Sequence, residues 1–259
     1  MQPMVNIAVR AARQAGNVIV RALDQIDTLN IREKATNDFV TDIDLRAEQE
    51  IIKVIKKAYP HHSILAEESG TNQGSEFEWI IDPLDGTTNF LHNFPQFAVS
   101  IAVRYRGRLE HAVVYDPLRQ EIFSASVGEG ARLNDRRIRV TSRPNMKGAL
   151  LGTGIPFRED QDLELYLKTL RALLPDSAGV RRPGSAALDL AYVAAGRIDG
   201  FWEMGLQIWD MAAGILLIQE AGGIVTDLKG GSDYFETGNI IAGGMKVQAE
   251  MTKRIKSSL

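Results

Sequence analysis

Three extended segments, joined by turns too short for a crossover, dominate the middle of this 259-residue chain. They cover residues 97–104, 108–115 and 121–126, and the turns lie at Arg106-Gly107 and Asp116-Pro117. Strands joined by such short turns pair as antiparallel neighbours, because parallel pairing needs a connection of a dozen residues or more. The sequence therefore predicts an antiparallel meander here.

Strand and helix patterns alternate after about residue 145, and no linker rich in Pro, Gly or Ser interrupts the chain. We expect two subdomains, 1–145 and 146–259, that share an interface and form one compact unit. The predicted strands of the second part are 149–153, 200–203 and 239–242, and its helices are 163–174, 186–195, 209–221 and a basic C-terminal helix.

Two amphipathic helices are predicted before the meander. The first covers residues 4–22, and the second begins at Thr41 or Asp42 and ends at Tyr59-Pro60, because proline cannot continue a helix. A polar loop is expected at 33–38. The side chains expected to face inward from the second helix are Leu45, Ile51, Ile52 and Ile55.

The composition of the chain limits the classes of function that it can have. Hydrophobic residues make up 44% of the chain, which suits a globular protein, and there is no cysteine, which excludes disulfides, thiolate metal ligands and cysteine nucleophiles. A net charge of -3 gives no general signal for nucleic acid binding, and no apolar run could span a bilayer. We therefore expect a soluble cytoplasmic protein that acts on a small molecule.

Carboxylates cluster where a short buried strand, 78–82, ends in the turn-forming string Asp82-Pro83-Leu84-Asp85-Gly86. A rigid turn can direct both aspartates and a backbone carbonyl at one point, and Mg²⁺ prefers such oxygen ligands. Glu67 follows another short apolar run, and Asp210 opens an apolar helix. Taken singly, each of these acids has an ordinary explanation as a turn former, a helix cap or a solvated edge.

Taken together, these strings resemble a known family. Residues 79–90, WIIDPLDGTTNF, and 209–223, WDMAAGILLIQEAGG, are similar without a gap to the two signature motifs of the inositol monophosphatase family. The resemblance extends over nearly the whole chain and includes residues 40–44, 66–69, 184–187 and 201–203. Residues 107–114 and 191–197 are similar to the bacterial SuhB branch of the family in particular.

The resemblance implies a layered α/β sandwich in which helices alternate with sheets, and a site that binds two or three Mg²⁺ ions. The implied ligands are Glu67, Asp82 and the Leu84 carbonyl for the first ion, and Asp82, Asp85 and Asp210 for the second. Glu67 and Thr87 would activate the attacking water, with Asp44 hydrogen-bonded to the threonine hydroxyl. The implied substrate-binding residues are Asp85, Gly86, Thr87, Thr88, Gly184, Ser185, Ala186, Glu203 and Asp210.

The implied activity is hydrolysis of an inositol monophosphate or another small polyol phosphate. A nucleotide 3'-phosphatase, a fructose-1,6-bisphosphatase or an NADP phosphatase would use the same carboxylates and stays an alternative. The resemblance also implies a homodimer and sensitivity to lithium. Through the SuhB branch it implies a second role, binding to RNA polymerase and Nus factors during transcription of ribosomal RNA.

Overall fold

The computed structural model describes residues 2–24, 31–35, 38–156 and 161–259. The helices in this part of the chain are α1 (Pro3–Ala22), α2 (Asp42–Ala58), α3 (Thr87–Leu91), α4 (Leu163–Leu173), α5 (Ala186–Ala194), α6 (Ile208–Glu220), α7 (Tyr234–Thr237) and α8 (Met245–Lys256). The strands are β1 (Ile31–Ala35), β2 (Asp38–Thr41), β3 (Ser63–Ala66), β4 (Gly70–Asn72), β5 (Phe77–Asp85), β6 (Ala98–Tyr105), β7 (Arg108–Asp116), β8 (Glu121–Ser126), β9 (Gly130–Leu133), β10 (Arg136–Arg137), β11 (Leu150–Thr153), β12 (Gly179–Arg181), β13 (Gly200–Glu203), β14 (Ile224–Thr226) and β15 (Ile240–Gly243).

Two mixed sheets form the framework. The larger has eight strands in the order β10-β9-β8-β7-β6-β5-β3-β4, and the smaller has five in the order β12-β11-β13-β15-β14. Strands β6, β7 and β8 pair as antiparallel neighbours, which confirms the predicted meander. Strands β3 and β5 are parallel, so their carboxyl ends lie at the same edge of the large sheet.

Helices and sheets alternate in five layers. Helices α1 and α2 cover one face of the large sheet, and α5 and α6 lie between its other face and the small sheet. Helices α4 and α8 cover the outer face of the small sheet. The layered α/β fold implied by the resemblance is thus confirmed.

The alternation of side chains along each strand explains this layering, because successive residues of a strand point to opposite faces. In β5, Trp79 and Ile81 pack with α1 and α2, whereas Ile80 packs with α5 and α6. Both faces are apolar, and a sheet that buries both faces needs a helical layer on each side. The large sheet therefore occupies an interior layer.

Most of the predicted elements are confirmed to within two residues, and three details are wrong. Leu45 is 37% exposed and does not face the core. Residues 33–35 lie in β1, which pairs with β2, so the predicted polar loop is largely a hairpin; residues 36 and 37 lie outside the described part. Strand β5 runs on to Asp85 instead of ending at Asp82.

Two expectations from the sequence concern the whole chain: whether a segment could span a membrane, and where the boundary between the subdomains lies. No helix within the described ranges is long and apolar enough to cross a membrane. The proposed boundary between residues 145 and 146 stays a prediction. It falls between the strands of the two sheets, while the apolar cluster around α5 and α6 contains residues from both sides of it.

Candidate active site

The parallel pairing of β3 with β5 brings the first two predicted carboxylates together. Ala66 is the register partner of Ile81, and the Glu67 N–H donates to the Ile81 carbonyl at 3.1 Å. Glu67 and Asp82 are therefore neighbours at the edge of the sheet. Glu48, a buried acid of α2, fixes the turn after Glu67 by accepting hydrogen bonds from the N–H groups of Glu68 and Ser69 at 2.9 and 3.0 Å.

The turn between β5 and α3 is held by its own aspartate. Asp82 Oδ1 accepts a hydrogen bond from the Leu84 N–H at 2.9 Å, and the pairing of β5 with β6 shifts register between Asp82 and Asp85. Gly86 then has a φ of 96° in the left-handed region, which glycine adopts at little cost. A Cβ at this position would lie 2.9 Å from the Gln96 carbonyl oxygen, so the turn also needs the absence of a side chain.

Asp85 connects this turn to α5, about 100 residues further along the chain. Its Oδ2 accepts hydrogen bonds from Ser185 Oγ at 2.5 Å and from the Ala187 N–H at 2.8 Å. Asn89 makes a second connection, because its Nδ2 donates to the carbonyls of Pro183 and Gly184 at 2.9 and 3.1 Å. These bonds fix residues 184–187 against the carboxylate turn.

Thr87 and Asp44 are joined as the resemblance implies. Thr87 Oγ1 lies 3.0 Å from Asp44 Oδ1 and 3.1 Å from the Leu84 carbonyl oxygen, and it can donate to either. The other oxygen of Asp44 accepts hydrogen bonds from the N–H and hydroxyl of Thr41, which closes a capping box at the start of α2. Asp44 thus caps a helix and also holds the Thr87 side chain.

The remaining acids come from the second half of the chain. Asp210 is the third residue of α6, and its Oδ2 accepts a hydrogen bond from the Gln207 N–H at 2.7 Å. The carbonyl before it, of Trp209, accepts from Ser100 Oγ at 3.2 Å, which attaches this helix end to β6. Glu203 ends β13 and lies against Gly154, where a Cβ would collide with the glutamate carboxyl group.

The acids and turn residues described above surround one cavity of about 190 Å³. Every predicted metal-binding or substrate-binding residue lines it, and Asp44 lies behind Thr87. The predicted residues in the wall are Glu67, Asp82, Leu84, Asp85, Gly86, Thr87, Thr88, Gly184, Ser185, Ala186, Glu203 and Asp210.

Three acids of this cavity have raised pKa values, through burial and, at Asp82 and Asp210, through the negative charges of their neighbours. Burial raises the pKa of Asp82 well above its usual range, and the negative charges of Glu67, Asp85 and Asp210 raise it further. Burial, followed by the charge of Asp85, also raises the pKa of Asp210. Burial raises the pKa of Asp85 to about 6, although the hydrogen bonds from Ser185 and Ala187 oppose the shift.

Such a set of carboxylates fits a hard divalent cation, which removes the mutual repulsion and accepts oxygen ligands. Within the described ranges, no three acidic or histidine side chains converge at the spacing of a finished metal site. Hydrogen bonds explain part of this, because Asp85 is directed towards α5 and Asp210 towards the start of its own helix. The donor chemistry fits magnesium, and each of these aspartates has a second carboxyl oxygen besides the Oδ2 that accepts the hydrogen bonds.

Several residues of the cavity were not predicted from the sequence. Asp189 is an acid inside the apolar helix α5, one turn after Ser185, and that isolated charge was the available signal. Asn89 lies within the signature motif but had no assigned role. The other unpredicted wall residues are Thr153, Gly154, Ile155, Gln161, Arg182, Met204, Gly205 and Leu206.

Comparison with known proteins agrees with this geometry. A model of the inositol monophosphatase family matches residues 1–258. The chain belongs to this family. The inositol monophosphatase of Thermotoga maritima has the same fold, with a TM-score of 0.90 and 31% identity over 99% of this chain and 98% of that one.

Within the family, the chain is similar to SuhB proteins. The protein named Nus factor SuhB in Pseudomonas aeruginosa is 56% identical over 252 residues, which cover 95% of this chain and 93% of that protein. The crystal structure of the extragenic suppressor protein SuhB from Bartonella henselae has a TM-score of 0.97 and 45% identity, with complete coverage of both chains. The resemblance to the SuhB branch is confirmed.

Proposed function

We propose that the protein is a Mg²⁺-dependent phosphomonoesterase that hydrolyses inositol monophosphate or a similar small polyol phosphate. The observation that carries this proposal is the convergence of Glu67, Asp82, Asp85 and Asp210 on one cavity beside the Thr87–Asp44 pair. Family membership supports the same class of reaction.

Glu67, Asp82, Asp85, Asp210 and the Leu84 carbonyl would hold two or three magnesium ions. When bound, these ions would supply positive charge that offsets the charge of the phosphate oxygens and would make water a better nucleophile near neutral pH. The carboxylates contribute by staying ionised once the cation is present, which reverses the upward pKa shifts described above.

Hydrolysis joins a water oxygen to phosphorus while the bond from phosphorus to the ester oxygen breaks. Glu67 and Thr87 orient that water; the Thr87 hydroxyl oxygen accepts the proton that the water loses, and the Thr87 hydroxyl gives its own proton to Asp44. The 3.0 Å separation of Thr87 Oγ1 and Asp44 Oδ1 supports this relay. The departing polyol oxygen takes its proton from solvent. The N–H groups of Gly86 and Thr87 would bind the phosphate oxygens.

Residues 184–186 and Glu203 would bind the polyol, together with Thr88. Glu203 can accept hydrogen bonds from neighbouring hydroxyl groups, and Gly154 leaves room for its carboxyl group. The cavity volume of about 190 Å³ is small beside the roughly 300–1,000 Å³ of pockets that bind drug-sized ligands. A cavity of this size suits a small polyol phosphate.

A second function is supported by the names of relatives. Proteins called Nus factor SuhB, which match this chain at up to 56% identity, suggest that it also acts in a transcription complex in the cytoplasm. The partners would be RNA polymerase and Nus factors, and the binding surface would include the exposed residues Arg181 and Arg182. A homodimer and inhibition by lithium remain proposals from the family resemblance.

The test is phosphate release from inositol 1-phosphate, fructose 1,6-bisphosphate and adenosine 3',5'-bisphosphate, each measured with magnesium and with EDTA. We expect the highest kcat/KM for inositol 1-phosphate and no release with EDTA. Preference for another ester would assign the chain to a different activity within the family. Absence of release from all three would refute the phosphatase proposal.

A further inference from the structure

One buried acid in the cavity wall has no part in the chemistry proposed above. Asp189 lies in the first turn of α5, where its N–H donates to the Ser185 carbonyl at 3.0 Å, and only 1% of the residue is exposed. Its Oδ1 has no hydrogen-bond partner among the residues that the structure describes. A buried acceptor without a partner is unfavourable and is rare in folded proteins. The Oδ1 atom of Asp189 therefore needs a hydrogen-bond donor.

The surroundings of Asp189 place it in the part of the wall assigned to the polyol. Burial raises its pKa well above the usual range, the negative charges of Glu203 and Asp85 raise it further, and the positive charge of Arg182 lowers it. All of these residues line the same cavity. Asp85 already accepts hydrogen bonds from Ser185 and Ala187, so it has less capacity than Asp189 to accept one from a ligand.

We infer that Asp189 is a specificity-determining residue whose carboxyl group accepts a hydrogen bond from a hydroxyl of the bound phosphate ester. The inference rests on the proposed function and names the chemical class that the cleft selects, which is an ester with hydroxyl groups near the leaving oxygen. The torsion χ2 of aspartate is broad, so rotation about it can turn either carboxyl oxygen towards the cavity without moving α5.

The cleft would distinguish between phosphate esters by whether the bound ester supplies a hydrogen-bond donor to Asp189. A polyol fills the cleft, excludes water and supplies an O–H group to Asp189. An aryl phosphate also excludes water but supplies no O–H group, so the acceptor stays unpaired. Sites built to bind a hydroxyl discriminate strongly against ligands that lack it, for this reason.

The experiment compares two esters and two variants in the full-length protein with magnesium. Asp189→Leu replaces the carboxyl group by an apolar group of similar size, and Asp189→Asn keeps one acceptor oxygen. For inositol 1-phosphate, we expect Asp189→Leu to lower kcat/KM about tenfold or more, mainly through a higher KM, with a smaller loss for Asp189→Asn. For para-nitrophenyl phosphate, Asp189→Leu should not lower kcat/KM and should raise it, because the variant lacks the acceptor that this ester leaves unpaired, and Asp189→Asn should remain within about twofold of the wild type.

Thermal unfolding of both variants, with Asp227→Asn outside the cavity as a comparison, shows whether the fold survives. Equal losses with both esters would mean that Asp189 only supports the structure, and an unchanged KM for inositol 1-phosphate would mean that it contacts no hydroxyl. Either result overturns the inference. If the wild type releases no phosphate from either ester, the proposed function fails and this inference fails with it.

Discussion

Asp44 shows at the scale of a single residue how one carboxyl group serves both the fold and the site. Its Oδ2 closes the capping box with Thr41, and its Oδ1 accepts from Thr87 at 3.0 Å. Burial raises the pKa of Asp44, while the hydrogen bonds from Thr41 and Thr87 lower it. The family resemblance implied the contact with Thr87, and the structure shows this contact together with the helix cap.

Removing the Thr87 hydroxyl while keeping the shape of the side chain should impair the chemical step. We predict that Thr87→Val lowers kcat by about 10²–10⁴-fold, because the attacking water loses its link to Asp44, and that KM changes little. Thr87→Ser keeps the hydroxyl and should recover kcat to within about tenfold. Steady-state kinetics with inositol 1-phosphate measures both; equal kcat for Val and Ser would contradict the relay.

The raised pKa of Asp85 predicts how the stability of the metal-free protein varies with pH. An aspartate whose pKa rises from 3.8 to about 6 on folding binds more protons when folded than when unfolded between these values. The free energy of unfolding should therefore fall as pH rises through this window and stay lower above about pH 6. In EDTA, we expect the melting temperature to drop by a few degrees between about pH 5 and pH 7.

Magnesium provides the control for that measurement. The ion binds ionised carboxylates, so its stabilising effect should grow as pH rises and should offset the drop seen in EDTA. If the melting temperature in EDTA rose between about pH 5 and pH 7, or if magnesium had no effect at about pH 7, the assignment of Asp85 as a metal ligand with a raised pKa would be wrong.

At the scale of elements, helices α5 and α6 pack tightly against each other in the core. A Cβ placed at Gly214 of α6 would collide with the side chain of Leu190 on α5. Both helices are apolar on nearly every side, because they pack against a sheet on one face and a sheet on the other. Ser185 at the start of α5 and Asp210 in the first turn of α6 both line the cavity.

Gly214→Ala should therefore destabilise the protein by about 1–3 kcal/mol through overpacking. Leu190→Ala alone should cost about 2–5 kcal/mol through a cavity. In the double variant the added methyl group fills part of that cavity, so the combined loss should be smaller than the sum by about 0.5 kcal/mol or more. Urea unfolding of the four proteins gives the coupling energy; strict additivity would show that the two positions do not touch.

Periodicity predicted the long elements well and the short ones poorly. Helix α2 begins after Thr41 and ends before Tyr59-Pro60, where capping and proline chemistry are local signals. The short strands β4, β12 and β14 have three residues each and were missed, because their pairing depends on neighbours that are distant in sequence. Leu45 was placed inward by spacing alone, yet it lies at the margin of the packed face of α2.

At the scale of the whole molecule, the candidate site depends on contacts that no local pattern contains. The family resemblance supplied the set of residues, but the bonds from Asp85 to residues 185 and 187 and from Asn89 to Gly184 join segments about 100 residues apart. The sequence did not identify Asp189 as a site residue, because an acid within an apolar helix could equally lie on the side of that helix that faces solvent. Only the packing of α5 against both sheets shows that it is buried beside the cavity.

The two proposed roles, phosphate ester hydrolysis and binding to a transcription complex, should depend on different residues. Asp85→Asn keeps an oxygen for the Ala187 N–H, so we expect an intact fold and unchanged binding to RNA polymerase and Nus factors, with hydrolysis lost. Co-purification with these partners, compared with Arg181→Glu, which leaves the cavity residue Arg182 in place, measures the binding role. If Asp85→Asn lost binding and hydrolysis together, the two functions would share one site.

The central claim is that the carboxylates of the cavity hold the magnesium that hydrolysis needs. The most direct test measures phosphate release from inositol 1-phosphate by the wild type and by Asp85→Asn across a range of magnesium concentrations. We predict saturable, magnesium-dependent release by the wild type, and a rate at least about 10²-fold lower for the folded variant at any magnesium concentration. Equal rates for the two proteins, or full activity of the wild type in EDTA, would contradict the claim.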